Sequence, residues 1–212
     1  MKNNWIFFLF IALFFNSCKM QEKDLANLEQ SENYKEILKD KKIFTEPYDI
    51  AAKLPIAYTY DTKGYRFGVV DIPENTEDQV SKNLVGIFLN NVKDRKIVGV
   101  KIFIDGSKKC QEIFKFLNKE YGSFKELKPV PQKNKKGFLM GDATYLWEIK
   151  TVNKSLIVSR GFNQNFTETS KGKIYTQNET LEIYLIDNNV KSDAPGYNDL
   201  TTKELLLKTF SS

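Results

Sequence analysis

Histidine is absent from the 212-residue chain. That absence removes Ser-His-Asp and Cys-His catalysis, HExxH zinc sites and His-rich metal centres, because each needs an imidazole to carry a proton or hold a metal near neutral pH. Cysteine is almost as scarce, limited to Cys18 and Cys110. No Walker loop, dinucleotide-binding glycine pattern or CxxC occurs, and there is no internal repeat or low-complexity tract. Long apolar runs are missing as well: the longest, Trp5 to Phe15, is too short to cross a hydrocarbon core of about 30 Å. The excess of 32 basic over 27 acidic residues is too modest to imply nucleic acid, and no arginine-guided or base-stacking pattern accompanies it.

What the sequence does have begins near its N terminus. Lys2, the apolar run and Asn16-Ser17-Cys18 supply the basic, apolar and small-residue regions of a secretory signal. Phe15-Asn16-Ser17-Cys18 resembles the lipobox of bacterial lipoproteins, with Ser17 and Cys18 in place and Phe15 where leucine is usual. The resemblance implies that Cys18 takes diacylglycerol on its thiol, that the chain is cut before it, and that the new amine is acylated. It also implies a lipid-anchored place in the cell envelope, at the outer membrane because Lys19 rather than aspartate follows. With Cys18 lipidated, Cys110 lacks a partner in the chain and no structural disulfide forms. The expected organisation is a signal peptide over 1–17, a polar tether with a short helix over 18–45, and a single domain over 46–212.

Apolar periodicity sets out the domain. Ile56–Tyr60 and Tyr65–Ile72 read as a hairpin about Asp61–Gly64, and Leu84–Leu89 with Lys96–Asp105 as a second. Ala143–Lys150 with Ser155–Phe162 makes a third, Asn163–Lys173 a polar loop, and Ile174–Asp187 the last strand. Between them Ser107 caps a helix whose stripe is Cys110, Ile113, Phe114 and Leu117, with Gly122 closing it. Cys110 in that stripe is an inert, buried thiol. Thr201 and Glu204 form a capping box for a short terminal helix. The expectation is α+β: an antiparallel sheet of about six to seven strands packed on one main helix, two-layer, with short N- and C-terminal helices.

Two surfaces emerge as candidates. If one sheet face carries Val98, Val100, Ile102, Trp147 and Ile183, the other carries Phe88, Gly99, Lys101, Phe103, Leu146, Tyr184 and Ile186, too apolar for open solvent. Either the terminal helix and the segments after the tether cover it, or Phe88, Phe103 and Tyr184 mark a partner face. Between Lys101 and Lys136 stand ten lysines against four acidic residues, and Lys108, Lys115 and Lys119 lie off the helix's apolar stripe. They form a solvated face or contact anionic phospholipid or lipopolysaccharide headgroups.

Chemistry is poorly supported. The oxygen-rich run from Asp187 to Asp199 is broken by Lys191 and Ser192, so no metal site is expected, nor any cofactor. Asp71, Glu74, Asp142 and Glu148 are carboxylates of the kind a glycan hydrolase pairs, yet the sequence pairs no two of them, and no catalytic residue is assigned. The reading is a membrane-anchored envelope lipoprotein with a non-catalytic protein-binding domain, of assembly-partner or immunity/inhibitor type. The alternatives are a periplasmic small-ligand or lipid-binding lipoprotein and a carboxylate-based glycan hydrolase. The expected partners are the membrane, through the lipid, and a protein; nucleic acid is not among them.

Overall fold

The computed structural model describes residues 22–77, 79, 81–90, 95–192 and 194–211. Cys18 and the signal-like segment lie outside the described residues. Side-chain alternation builds a main sheet of eight strands, every neighbour antiparallel. In spatial order these are β2 (Phe44–Glu46), β3 (Ile56–Thr59), β6 (Leu84–Leu89), β7 (Ile97–Asp105), β11 (Gly172–Asp187), β10 (Lys154–Thr169), β9 (Gly141–Ile149) and β8 (Lys125–Lys128). A second sheet has β4 (Tyr65–Phe67) at its centre, parallel to β1 (Lys23–Asp24) and antiparallel to β5 (Val70–Asp71). The α-helices are α1 (Tyr34–Ile37), α2 (Ser107–Tyr121) and α3 (Thr202–Phe210).

The expected α+β class is overturned. Strands take up 43% of the chain, and the main sheet exceeds the six to seven strands read from the sequence. Part of the difference is Asn163–Lys173, which apart from the turn at Ser170 and Lys171 is strand rather than loop: β10 and β11 stay paired from Lys154↔Asp187 to Thr169↔Gly172. The Thr and aromatic residues of this stretch favour a pleat, and the ladder pairing carries the Asn and Gln between them. The first expected hairpin also fails. Ile56–Thr59 inserts between β2 and β6, while Tyr65–Asp71 leaves for the small sheet.

The segment expected as a tether is packed from Lys23 onward. Leu25, Leu28, Ile37 and Leu38 are buried, and the Tyr65 hydroxyl donates to the Ile37 carbonyl at 2.8 Å. Asp24 accepts from the backbone of Ala26 (3.1 Å) and Gly68 (2.8 Å), tying this segment to the β4–β5 turn.

Helix α2 and the small sheet cover one face of the main sheet. Cys110, Ile113 and Leu117 join Val100, Ile102, Ile104, Val158 and Ile183 in that core, each full burial contributing about 1.5–3 kcal/mol. Gly106, rather than Ser107, stands at the N-cap; the Ser107 hydroxyl instead accepts from the Glu179 N–H at 3.0 Å. A register shift between Phe88 and Leu89 moves Val98 to the opposite face from the one expected, where it packs with Phe88 and Ile186. That second core lies under Ala51, Ala52, Leu54 and Leu206. The capping box of Thr201 and Glu204 opens α3, which delivers Leu206.

Candidate binding face

The second face of the main sheet divides into a covered and an uncovered half. Phe88 and Tyr184, both expected on a partner face, are 0% and 1% exposed. Their rings stack 6.1 Å apart, and Phe210 of α3 packs 5.4 Å from Tyr184. Neither can touch a partner. Phe103 belongs to the other half and is partly exposed.

That half is assembled by register. Leu84 pairs with Phe103 and Phe103 with Glu182, while Tyr58 pairs with Gly86 and Gly86 with Lys101. A Cβ at Gly86 would come 2.6 Å from Ile56 Cδ1, so the glycine leaves room for the end of the neighbouring strand's side chain. Tyr58 stacks on Phe44 at 5.4 Å, and Tyr60 meets both edge-on at 5.6 Å. Lys42 lies over the Phe44 ring. Between this aromatic trio and the centre of the sheet is an open depression of about 320 Å³, lined by Tyr60, Ser81, Lys82, Leu84, Lys101, Phe103 and Glu182. Its loop wall is fixed by buried Asn83, whose amide donates to the Pro73 carbonyl and whose oxygen accepts from the Asp105 N–H.

The floor carries an ion cluster. Lys101 Nζ is 2.8 Å from Asp49 and 3.0 Å from Glu182, and the Tyr184 hydroxyl donates to Glu182 at 2.8 Å. Asp49 also accepts from the N–H groups of Ala51 and Ala52, which shapes the loop over the second core. Burial disfavours the Lys101 ammonium, but the Glu182 and Asp49 carboxylates outweigh it and raise the pKa. A lysine held charged in this way is neither nucleophile nor base. Burial, reinforced by Glu182 and Asp49, raises the Tyr184 hydroxyl as well.

The other predicted residues fall elsewhere. Lys108, Lys115 and Lys119 are exposed on α2, on the opposite side of the sheet from Phe103. The four carboxylates do not assemble: Asp142 pairs with Lys128 at 3.2 Å and Glu148 with Lys203 at 2.6 Å. Among the described residues no group of three or more Cys, Asp or Glu side chains is placed to hold a metal ion. Phe44, Tyr58 and Tyr60 were missed in the sequence; the alternation Tyr58, Tyr60 was visible, but its pairing with Phe44 was not.

No family model matches the chain, and neither a curated protein nor a solved structure is significantly similar to it.

Proposed function

We propose that this chain is a membrane-anchored envelope lipoprotein whose domain binds a protein partner through the face formed by Phe44, Tyr58, Tyr60, Leu84 and Phe103. The observation that carries the reading is the aromatic trio beside the open depression, held on a rigid sheet and left accessible while α3 and the 49–54 loop cover the rest of that face. Aromatic side chains with polar tips are what protein interfaces concentrate at their centres. The adjoining ion cluster is internally satisfied and favours recognition over catalysis. The enclosed apolar cavity beside Leu25 and Leu28 is only about 10 Å³, room for one water at most, which argues against that site as a lipid pocket. The anchor part of the proposal rests on the lipobox-like run ending at Cys18.

The test is capture from solubilised envelopes with the lipidated protein, followed by reconstitution with the purified candidate. A Tyr60→Ala, Phe103→Ala variant that still folds should lose the partner by at least about thirtyfold, the equivalent of one interface anchor of about 2 kcal/mol. An unchanged affinity would move the interface elsewhere. Cys18→Ser should yield an unlipidated, soluble product; retention of the same lipid mass on the membrane would defeat the anchor assignment.

A further inference from the structure

Beyond Phe162 on β10 and Thr180 on β11, no described strand flanks the hairpin, so it continues as a two-stranded ribbon. Phe166, Ile174 and Tyr175 on it are 53%, 57% and 37% exposed. Side chains alternate along the ribbon, so Phe166 and its cross-strand partner Tyr175 share the face of Phe162, which is the α2 side of the sheet. A turn over residues 133–137, closed by the Lys133↔Leu139 bridge, packs on the same side: Gln177 donates to the Leu139 carbonyl, and Lys136 lies 3.7 Å from the Tyr175 ring centre. Across α2, this turn and that ribbon face there are eight lysines against four glutamates. Three of the glutamates, Glu112, Glu168 and Glu179, are already paired, with Lys109, Lys173 and Arg160. Lys108, Lys115, Lys119, Lys133, Lys135 and Lys136 are all exposed.

Glu22, the first described residue, lies on this same side, because the next two residues pair with β4 and Asp24 holds the Gly68 N–H against α2. Cys18 is four residues upstream, a span of at most about 14 Å. We infer that the α2 side of the sheet lies on an anionic phospholipid bilayer, with these lysines among the headgroups and Phe166 and Tyr175 in the interfacial layer. The orientation rests on the anchor reading; the binding surface does not. The aromatic trio then faces away from the membrane, open to a partner. The occupant follows from charge complementarity and from the short reach to the lipidated cysteine: anionic headgroups attract juxtamembrane lysines, and aromatic rings settle at the same depth.

Co-sedimentation with vesicles tests this. A chain beginning at Lys19 keeps both sheets and both cores but carries no lipid. It should bind vesicles of equal parts phosphatidylglycerol and phosphatidylcholine, release them as salt rises, and ignore phosphatidylcholine alone. Lys133→Glu, Lys135→Glu, Lys136→Glu, with an unchanged circular dichroism spectrum, should bind about a hundredfold more weakly. Phe166→Ser, Tyr175→Ser should weaken binding with its salt dependence unchanged, and Lys82→Glu, on the opposite side, should have no effect. Failure of the parent chain to bind mixed vesicles, or an equal loss with Lys82→Glu, overturns the inference. Either result leaves the anchor itself to the Cys18→Ser test.

Discussion

Phe210 closes the second core from above: its ring lies 5.4 Å from Tyr184, which stacks on Phe88 directly beneath. Leu206, one helical turn earlier, is fully buried in the same cluster. The short α3 is therefore a structural lid on the apolar half of the sheet rather than an appendage. Leu206→Ala should cost about 2–5 kcal/mol, the range for a buried leucine, in urea unfolding followed by circular dichroism. Phe210→Ala should cost less, because Phe210 is only partly buried. Equal, negligible losses for both would mean that α3 does not cover Phe88 and Tyr184 in solution.

Lys101 is the hinge of the ion cluster, and removing it strands Asp49, which is 7% exposed. Lys101→Met should destabilise the domain by about 3 kcal/mol, the penalty for leaving a buried partner uncompensated. The sign of the pH dependence follows from the raised pKa. The stabilisation is complete below the unfolded lysine value of about 10.4 and is lost as pH rises through the higher folded value. The gap between parent and variant, measured by urea titration, should thus be flat from about pH 7 to 9 and narrow only above about 10.4.

Cys110 is 0% exposed, and burial, with the nearby Glu179 carboxylate, pushes its thiol up to about 12. The folded state holds the neutral thiol, so its contribution is complete below the unfolded value of about 8.5 and fades as pH climbs toward the folded one. At pH 8 the folded chain beginning at Lys19, in which Cys110 is the single thiol, should resist a thiol-specific reagent and react stoichiometrically in urea. Fast labelling of the folded chain at pH 8 would place the sulfur at the surface.

Where burial and periodicity coincide, the sequence was informative. Cys110, Ile113 and Leu117 define α2, Thr201 and Glu204 announce α3, and the 84–105 and 143–162 hairpins follow from alternation. What escaped was structure whose support is remote. Leu25, Leu28, Ile37 and Leu38 fall at spacings that predict short helices, but nothing local says that each is buried by chain elements far away in sequence. Residues 163–169 have almost no apolar alternation, because ribbon pairing there is held by backbone hydrogen bonds rather than a core. The candidate face shares this limit: Phe103 was legible on its own strand, but Phe44, Tyr58 and Tyr60 converge only through a three-residue edge strand. Coverage of Phe88 and Tyr184 by the terminal helix was visible as one of two options, and only packing decides between them.

Gly68 is the position where backbone and packing make the same demand. Its φ is +62°, and the Phe116 ring of α2 lies where a side chain would project: an added Cβ would fall 2.0 Å from Phe116 Cζ. Its N–H is also held by Asp24, so the β4–β5 turn, the N-terminal segment and α2 meet at this residue. Alanine here must adopt a left-handed conformation and displace an aromatic ring from a packed core. Gly68→Ala should therefore cost about 2–4 kcal/mol in urea unfolding, combining strain with overpacking. Gly137 has a comparable φ of +84° but open space around its Cβ position. Gly137→Ala should show the conformational penalty alone, about 1–2 kcal/mol. If the two substitutions cost the same, the Phe116 ring does not seat on Gly68, and the junction between the small sheet and α2 is looser than the packing at Gly68 requires.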